Sequence, residues 1–204
     1  MWVRVATFVG GDTEKLDKLM DERVSSGEMT PPEGMSSVLI LEDKDAKKRK
    51  FLAFFDSRDA IEAAEAGFDQ QGDTIPEEIR GERTSVHYYD VVIYDGDVEA
   101  AKAARVSLLE GSPESIDAGL DKTRGDTLPK VRAISGNVGA IGLADRENGR
   151  VSMITFWDSG DSMRASAQEA DRLRQRTAEM SEQKIANVAL YDVAMARTVA
   201  GARA

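Results

Sequence analysis

The chain has 204 residues, of which 41% are hydrophobic and 31% charged, proportions typical of globular domains. Its formal net charge of −10 at pH 7 disfavours binding to nucleic-acid backbones or anionic membranes, so we expect neither as a partner. The lack of cysteine excludes disulfides, thiol nucleophiles and thiolate metal sites, and the single histidine excludes a histidine-rich metal centre. We therefore expect no metal and no cofactor.

The first residues show an apolar strand pattern and lack the basic segment and cleavage site of a signal peptide. No run approaches the roughly 18 apolar residues that a membrane span requires. The expected location is the cytoplasm.

The first half predicts two helices among four strands. Alternating apolar residues indicate strands, and a segment rich in glycine and proline at 25–37 excludes a helix there. The basic turn Lys44 to Lys50 is expected to be a solvated hairpin tip, although a phosphate or acidic ligand is conceivable there. In order, the predicted elements are a strand Trp2 to Val9, a helix from Thr13, strands Val38 to Glu42 and Phe51 to Asp56, a helix from Asp59, a short helix capped by Thr74, and a strand Ser85 to Tyr94.

The second half repeats this order with clearer signals. Ser112 followed by Pro113 is typical of a helix N-terminus, and Asn148-Gly149 is typical of a tight hairpin turn. The predicted elements are a strand Ala104 to Glu110, a helix after Ser112, a loop 125–139, strands Ala140 to Ala144 and Val151 to Asp158, a helix Asp161 to Met180, and a strand Asn187 to Arg197.

The two halves are an internal repeat. The sequence FLAFFDS ending at Ser57 resembles MITFWDS ending at Ser159, and Phe55 and Trp157 lie 102 residues apart. Tyr89 and Tyr191, each followed by Asp-Val, have the same separation. Because a repeat of this kind indicates duplicated domains, we divide the chain into 1–96 and 97–204.

Each half has the order strand, helix, strand, strand, helix, strand, which is the ferredoxin-like arrangement with both helices on one face of an antiparallel sheet. Met153, Thr155 and Trp157 on one side of a strand and Ile154 and Phe156 on the other indicate that both sheet faces are buried. We therefore expect the two halves to pair within the chain, sheet against sheet. Further association into a homo-oligomer is open.

In these features the chain resembles tandem antibiotic-biosynthesis-monooxygenase-like domains of the dimeric α+β barrel superfamily. The segments that carry the resemblance are Arg105-Val106, Gly111 to Glu114, Asp145 to Arg150, Phe156 to Ser159 and Val188 to Val193. The resemblance implies an α+β fold of two ferredoxin-like βαββαβ repeats that form an intrachain dimeric α+β barrel. It also implies a cavity between the sheet and the helices of each half.

The resemblance implies two activities as candidates. Cofactor-independent oxygenation of polycyclic phenols uses tryptophan, asparagine and tyrosine to bind the substrate and move protons. Trp157 matches the family tryptophan, with Phe55 as its counterpart, and Tyr89 and Tyr191 close the last strands. Purely structural roles are the favoured interpretation of all four.

The haem-degrading branch requires an asparagine on the first strand and a histidine on the second helix, and both are missing here. His87 lies on a last strand instead, where a packing role is favoured and a role as a base stays open. Haem degradation is therefore the least favoured activity.

Three hypotheses follow. An oxygenase predicts a cavity that reaches Trp157 and holds polar groups, a non-catalytic binder of a small aromatic molecule predicts an apolar cavity, and a structural pseudo-dimer predicts no cavity of ligand size. The divergence of the halves favours at most one working site, in the second half. The candidate ligand-binding residues are Trp157, Tyr191, Phe55, Tyr89 and His87, and the sequence identifies no catalytic residue.

A charge pattern recurs in both halves. Arg4 and Arg105 occupy matching places on the first strands, and Asp90 and Asp192 occupy matching places on the last strands. Because a buried charge is costly unless it is paired, we predict cross-strand pairs of Arg4 with Asp90 and of Arg105 with Asp192.

Overall fold

The computed structural model describes residues 1–28 and 30–199 and has a mixed α+β fold. The first repeat forms β1 (Trp2–Val9), α1 (Thr13–Ser25), β2 (Met35–Asp43), β3 (Lys48–Phe55), α2 (Arg58–Asp73), α3 (Glu77–Arg80) and β4 (Glu82–Gly96). The second forms β5 (Ala103–Glu110), α4 (Ile116–Lys122), α5 (Leu128–Arg132), β6 (Asn137–Asp145), β7 (Arg150–Trp157), α6 (Gly160–Ala165), α7 (Ala167–Met180) and β8 (Lys184–Thr198).

Hydrogen bonds join the eight strands in the closed order β1, β3, β2, β8, β5, β7, β6, β4. The predicted fold class, an intrachain α+β barrel built from two βαββαβ repeats, is confirmed. Each of the described helices is too short or too polar to cross a bilayer.

The described residues divide into two compact units. The first unit comprises Met1–Tyr88 and the described residues from Arg197 onward, and the second unit comprises Tyr89–Ala196. Segment 89–96 therefore belongs to the first sequence repeat but to the second compact unit. The reason is the length of β4, whose residues from Asp90 to Gly96 pair with β6.

In the first unit, β3 pairs antiparallel with both β1 and β2, and Phe55 lies opposite Trp2. Helix α2 begins at a side-chain cap, because the Ser57 hydroxyl accepts a hydrogen bond of 3.1 Å from the Ala60 amide. Its buried residues Ile61 and Ala64 pack against Phe55 on the sheet. The end of β3 and the start of α2 are thus held in place by their contacts with each other.

In the second unit, β7 pairs with β5 and β6, and Trp157 lies opposite Ala103. Ser159 caps α6 as Ser57 caps α2, accepting a 3.1 Å hydrogen bond from the Ser162 amide. Trp157 is fully buried against Ala103 and Met163. The repeat in sequence is therefore a repeat of local packing as well.

The segment 125–139 is not the predicted loop. A π-helical turn over Thr123–Thr127 continues into α5, and the Thr123 hydroxyl donates to the Gly119 carbonyl at 2.9 Å. Pro129 lies in the first turn of α5, where a missing amide hydrogen is tolerated. Leu128 and Val131 of α5 are buried, so this extra helix adds core to the second unit.

The predicted helix start at Ser112 is observed, since Ser112 is the N-cap of a short 3-10 turn over Pro113–Ser115, whereas the predicted cap at Thr74 is wrong. Ser112 makes no side-chain cap, and its carbonyl instead accepts from the amide of Ser115 at 3.1 Å. Thr74 ends α2, where its hydroxyl donates to the Gln71 carbonyl at 2.7 Å, and α3 starts at Pro76 without a side-chain cap. Thr74 thus satisfies a nearby backbone carbonyl with its side chain, an alternative that spacing alone cannot distinguish from an N-cap.

Candidate functional site

Each unit encloses a cavity between its own sheet and helices. The first-unit cavity has a volume of about 500 Å³ and is lined by residues of β1 to β4 and α1 to α3. The second-unit cavity has a volume of about 60 Å³ and is lined by residues of β5, β7 and α7 and by the region 123–134. Small-molecule sites typically measure about 300 to 1,000 Å³, so the first-unit cavity has the size of a ligand site.

The difference in volume follows from the elements that surround the two cavities. Thr127, Val131 and Ile134, in and around α5, line the second-unit cavity and reduce its volume. Among its described residues, the first repeat has no helix at the corresponding place between α1 and the start of β2 at Met35. The sequence favoured a site in the second half, whereas the larger cavity lies in the first unit.

The sheet side of the first-unit cavity combines aromatic and cationic side chains. Arg4 and Phe8 alternate along β1, and Arg49 and Phe51 alternate along β3. Alternate residues of a strand face the same side, so these four side chains share the helix-covered face of the sheet. On the helix side, Phe68 of α2 completes the aromatic lining.

Arg4 is buried, with 2% of its surface exposed, and its partner comes from a helix. Its Nε and Nη2 donate to the two carboxylate oxygens of Glu65 on α2 at 2.7 and 3.1 Å. The guanidinium also lies 4.6 Å from the centre of the Phe68 ring. The predicted pair of Arg4 with Asp90 is therefore wrong.

Asp90 pairs instead with Arg146, whose Nη1 lies 3.0 Å from the carboxylate. It lies on the part of β4 that pairs with β6 in the second unit, and its side chain is 34% exposed. The predicted pairing failed because helix α2 supplies a nearer carboxylate than the last strand does.

Arg49 is the second buried cation of the first-unit cavity, with 6% of its surface exposed. Its guanidinium forms ion pairs with Glu42 on the neighbouring strand and with Asp17 on α1. Its Nε–H has no hydrogen-bond partner within the described part of the chain. The expectation that the basic turn Lys44 to Lys50 is a solvated tip is wrong at Arg49, because α1 covers this end of the hairpin.

The rim of the first-unit cavity holds two further arginines. Arg83 Nη1 donates to Asp69 at 2.6 Å, and this hydrogen bond lowers the pKa of the Asp69 carboxyl and raises the pKa of Arg83. Arg80 lies 3.7 Å from Asp73, and its buried Nε–H has no partner among the residues described. Arg49 and Arg80 thus line the cavity, and each has one buried Nε–H without a partner among the described residues.

The second-unit cavity reaches Trp157, one of the candidate residues from the sequence. The indole N–H already donates to the Thr155 hydroxyl at 3.2 Å, and Arg105 lies 5.4 Å from the ring centre. Arg105 lies opposite Leu190 on β8, and Asp192 lies opposite Ala103, two residues away, with an exposed side chain. The predicted pair of Arg105 with Asp192 is therefore wrong in register.

The other candidate residues line neither of these two cavities. Phe55 is fully buried in the core under α2. Tyr89 and Tyr191 are buried on β4 and β8, and burial raises the pKa of the Tyr89 hydroxyl. His87 is half-buried on β4. The structure thus does not bring the five candidates together around either cavity.

Sequence reasoning missed Arg49, Arg80 and Phe68. A signal was present for Arg49, because Glu42 and Arg49 carry opposite charges at facing positions of the hairpin. No signal marked Arg80, since its place at the cavity depends on the short helix α3. Among the described residues, no cluster of three or more histidine, aspartate or glutamate side chains is arranged to hold a metal ion.

No protein-family model matches the sequence. Part of the chain matches two uncharacterised proteins of Mycobacterium tuberculosis. One is 34% identical over 92 residues, which are 45% of this chain and 39% of that protein. The other is 31% identical over 77 residues, which are 38% of this chain and 34% of that protein. The match thus spans less than half the length of these relatives.

Solved structures match over nearly the whole chain. An anthrone oxidase-like protein superposes with a TM-score of 0.70 at 17% identity, covering 100% of this chain and 95% of that one. A candidate monooxygenase from Fusobacterium nucleatum gives 0.65 at 16% identity, covering 97% and 94%. A haem-degrading enzyme from Listeria monocytogenes gives 0.53 at 13% identity, covering 93% and 98%.

At these identities the likeness concerns the fold. The chain has the ferredoxin-type barrel fold of proteins related to antibiotic biosynthesis monooxygenases, as its sequence predicted.

Proposed function

We propose that the chain binds a small aromatic molecule bearing acceptor oxygens, and that it does so in the first-unit cavity. One observation carries the proposal: a cavity of about 500 Å³ is lined by three phenylalanine rings and by two arginines with unengaged N–H donors. A mostly apolar pocket with a few converging polar groups is the usual form of a small-molecule site.

The chemistry of the lining defines the ligand class. Guanidinium groups are donors only, so the ligand atoms that meet Arg49 and Arg80 must be acceptors, such as phenolate, carbonyl or carboxylate oxygens. Phe51 and Phe68 pack edge to face with their ring centres 6.1 Å apart, and they offer a planar ligand rigid aromatic contacts. Phenols, quinones and aromatic acids combine both requirements.

A structural neighbour indicates which aromatic to test first. One neighbour is an anthrone oxidase-like protein, so an anthrone belongs among the probes. Oxygen uptake with anthrone would extend binding to a cofactor-independent oxygenase function. Binding without uptake supports a non-catalytic binder, and lack of any binding supports a structural pseudo-dimer.

Calorimetric titration of the full chain with 2-naphthoate, 1-naphthol, anthrone and naphthalene tests the proposal. Met20 on α1 lines the cavity, so Met20→Trp places a larger ring in it and should weaken binding at least about tenfold, because the added ring competes with the ligand for the same space. Lys18→Trp is the matched control, since Lys18 is exposed on the same helix and does not line the cavity. It should bind as the wild type does.

Arg80→Met tests whether an arginine of the cavity contributes to ligand binding. This variant keeps a side chain of similar volume and removes the guanidinium with its charge and N–H donors, so naphthoate should lose more affinity than naphthalene. If no probe binds, or if Met20→Trp and Lys18→Trp bind equally well, the proposal is overturned.

A further inference from the structure

The second unit contains a buried arginine without a counterion. Arg105 on β5 has 4% of its surface exposed. Its Nη1 donates to the Ser166 hydroxyl at 3.1 Å and its Nη2 to the Met163 carbonyl at 2.5 Å, both neutral acceptors. Within the described part of the chain it forms no ion pair. A buried charge without an opposite charge is strongly unfavourable.

A second arginine faces the same cavity. Arg174 on α7 donates from Nε to the Ser107 hydroxyl at 3.0 Å, and Ser107 lies two residues from Arg105 on the same face of β5. Arg174 also pairs with Asp171, whose side chain is 57% exposed. Burial and the nearby Arg174 together lower the pKa of Arg105, with Asp171 opposing them. Two cations thus converge on a closed space without an internal anion between them.

The repeat shows what has changed at this place. In the first unit the equivalent Arg4 is neutralised by Glu65 on α2. The residue that lies 102 positions after Glu65 is Ala167, which has no charge. The residue that lies 102 positions after Gly72 is Arg174. The second repeat has therefore kept the buried arginine, replaced its carboxylate by a methyl group and added a second cation.

We propose that the second-unit cavity binds a small planar oxyanion, of the size of formate, acetate or bicarbonate, between Arg105 and Arg174. A guanidinium presents parallel N–H donors that match the two oxygens of a carboxylate. The cavity of about 60 Å³ exceeds the space that one water needs, about 10 to 15 Å³, and is far below the size of an aromatic ligand.

The remaining lining favours an anion with a small apolar end. The Thr127 and Thr177 hydroxyls bond each other at 2.7 Å, and the Thr155 hydroxyl accepts from the Trp157 indole. The Thr127 and Thr177 hydroxyls are thus engaged with each other, and the two arginines supply the charged part of the recognition. Leu109, Val131 and Met153 line the rest of the cavity.

The experiment measures the thermal stability of the full chain against acetate and formate at constant ionic strength, with chloride as the balancing salt. A ligand that binds only the native state stabilises it by RT ln(1 + [L]/Kd), so we expect the unfolding temperature to rise with the logarithm of the acetate or formate concentration once that concentration exceeds Kd. Sodium phosphate is the comparison for a tetrahedral anion. Stabilisation by phosphate alone would contradict the binding of a planar anion. Equal stabilisation by chloride would show a general effect of salt and not binding at a specific site.

Three variants locate the site. Arg105→Met and Arg174→Met should each weaken the acetate response at least about tenfold, since each removes a charge-assisted hydrogen bond. Ala167→Glu places a carboxylate where Glu65 lies in the first repeat, so it should raise the unfolding temperature and abolish the acetate response. This variant keeps the test valid if Arg105→Met does not fold.

Arg172→Met is the matched control. Arg172 is exposed on the same helix and pairs with Glu169 away from the cavity, so its loss should leave the acetate response unchanged. An acetate response that persists unchanged in Arg174→Met and Ala167→Glu would overturn the proposal. Because the first-unit cavity is not involved, failure here leaves the aromatic-ligand proposal intact.

Discussion

Lys50 on β3 is a residue whose protonation is strongly affected by its surroundings. Its ammonium group donates to the Thr7 hydroxyl at 3.2 Å. Burial, with a smaller contribution from Lys48, lowers the pKa of Lys50 to about 8. Below this pH the lysine is protonated in the folded and the unfolded chain, and the folded state bears the full desolvation penalty.

Lys50→Met should therefore change how stability depends on pH. Between pH 8 and 10.5 the folded wild type loses a proton that the unfolded chain keeps, so wild-type stability rises with pH by up to about 3 kcal/mol from this group. The variant lacks this rise and should be more stable than the wild type at pH 7. Urea unfolding at pH 7 and pH 10 measures the difference.

The control for this prediction is Lys44→Met, which removes an exposed lysine from the same hairpin. It should leave the pH dependence as in the wild type. A free-energy difference between wild type and Lys50→Met that is the same at both pH values would contradict the prediction.

At the scale of elements, the bidentate pair between Arg4 and Glu65 attaches α2 to β1. The two side chains differ in exposure, 3% for Arg4 and 28% for Glu65, so removing either one has unequal consequences. Glu65→Gln leaves a buried cation and should cost about 3 kcal/mol, whereas Arg4→Met leaves an acid that water reaches and should cost less. The double variant should cost less than the sum of the two losses.

Chemical denaturation of the three variants measures this coupling. Glu62→Gln, which removes an exposed acid that pairs with Arg58 on the same helix, is the control and should change stability little. Equal losses in Glu65→Gln and Arg4→Met, or strictly additive losses, would contradict the asymmetry.

The sequence predicted the elements well wherever they depend on local patterns. The alternation from Trp2 to Val9 predicted β1 with its observed bounds. An Asp-Ser pair precedes both α2 and α6 in the repeat, but the capping role of its serine was not predicted. The predicted helix Asp161 to Met180 is interrupted at Ser166, whose hydroxyl accepts from Arg105 and donates to the Met163 carbonyl. This contact joins residues far apart in sequence, so helical periodicity could not reveal it.

The candidate site was less predictable for a related reason. Because a buried charge is costly, the sequence could predict that Arg4 and Arg105 each need a partner. It could not predict which group is the partner, because that depends on which helix residue lies above the strand. Likewise Phe68 in one repeat and Ala170 in the other line cavities of different size, and α5 accounts for much of the difference. Cavity volume is set by how whole elements pack, and residue patterns within a strand do not encode it.

At the scale of the whole molecule, the last strands are longer than the repeat alone requires. β4 and β8 each span 15 residues, whereas β1 and β5 each span 8. In β4 the extra length carries Asp90 to Gly96, which pair with β6 inside the second unit. The second unit is thus completed by a strand that belongs, in sequence, to the first repeat.

Fragments that end or begin at different points of β4 test this arrangement. Fragment 97–204 lacks β4, one of the two partners of β6, so the β6 backbone groups that bonded to β4 lose their hydrogen bonds and form an unprotected sheet edge. We expect it to aggregate, whereas fragment 89–204 retains the strand and should be more soluble and unfold more cooperatively.

Co-expression of 1–96 with 97–204 restores every strand and should yield a complex with the circular dichroism of the intact chain. Size-exclusion chromatography and thermal unfolding compare the samples, and a fragment 97–204 that is as soluble and as cooperative as 89–204 would show that β4 is not needed to complete the second unit.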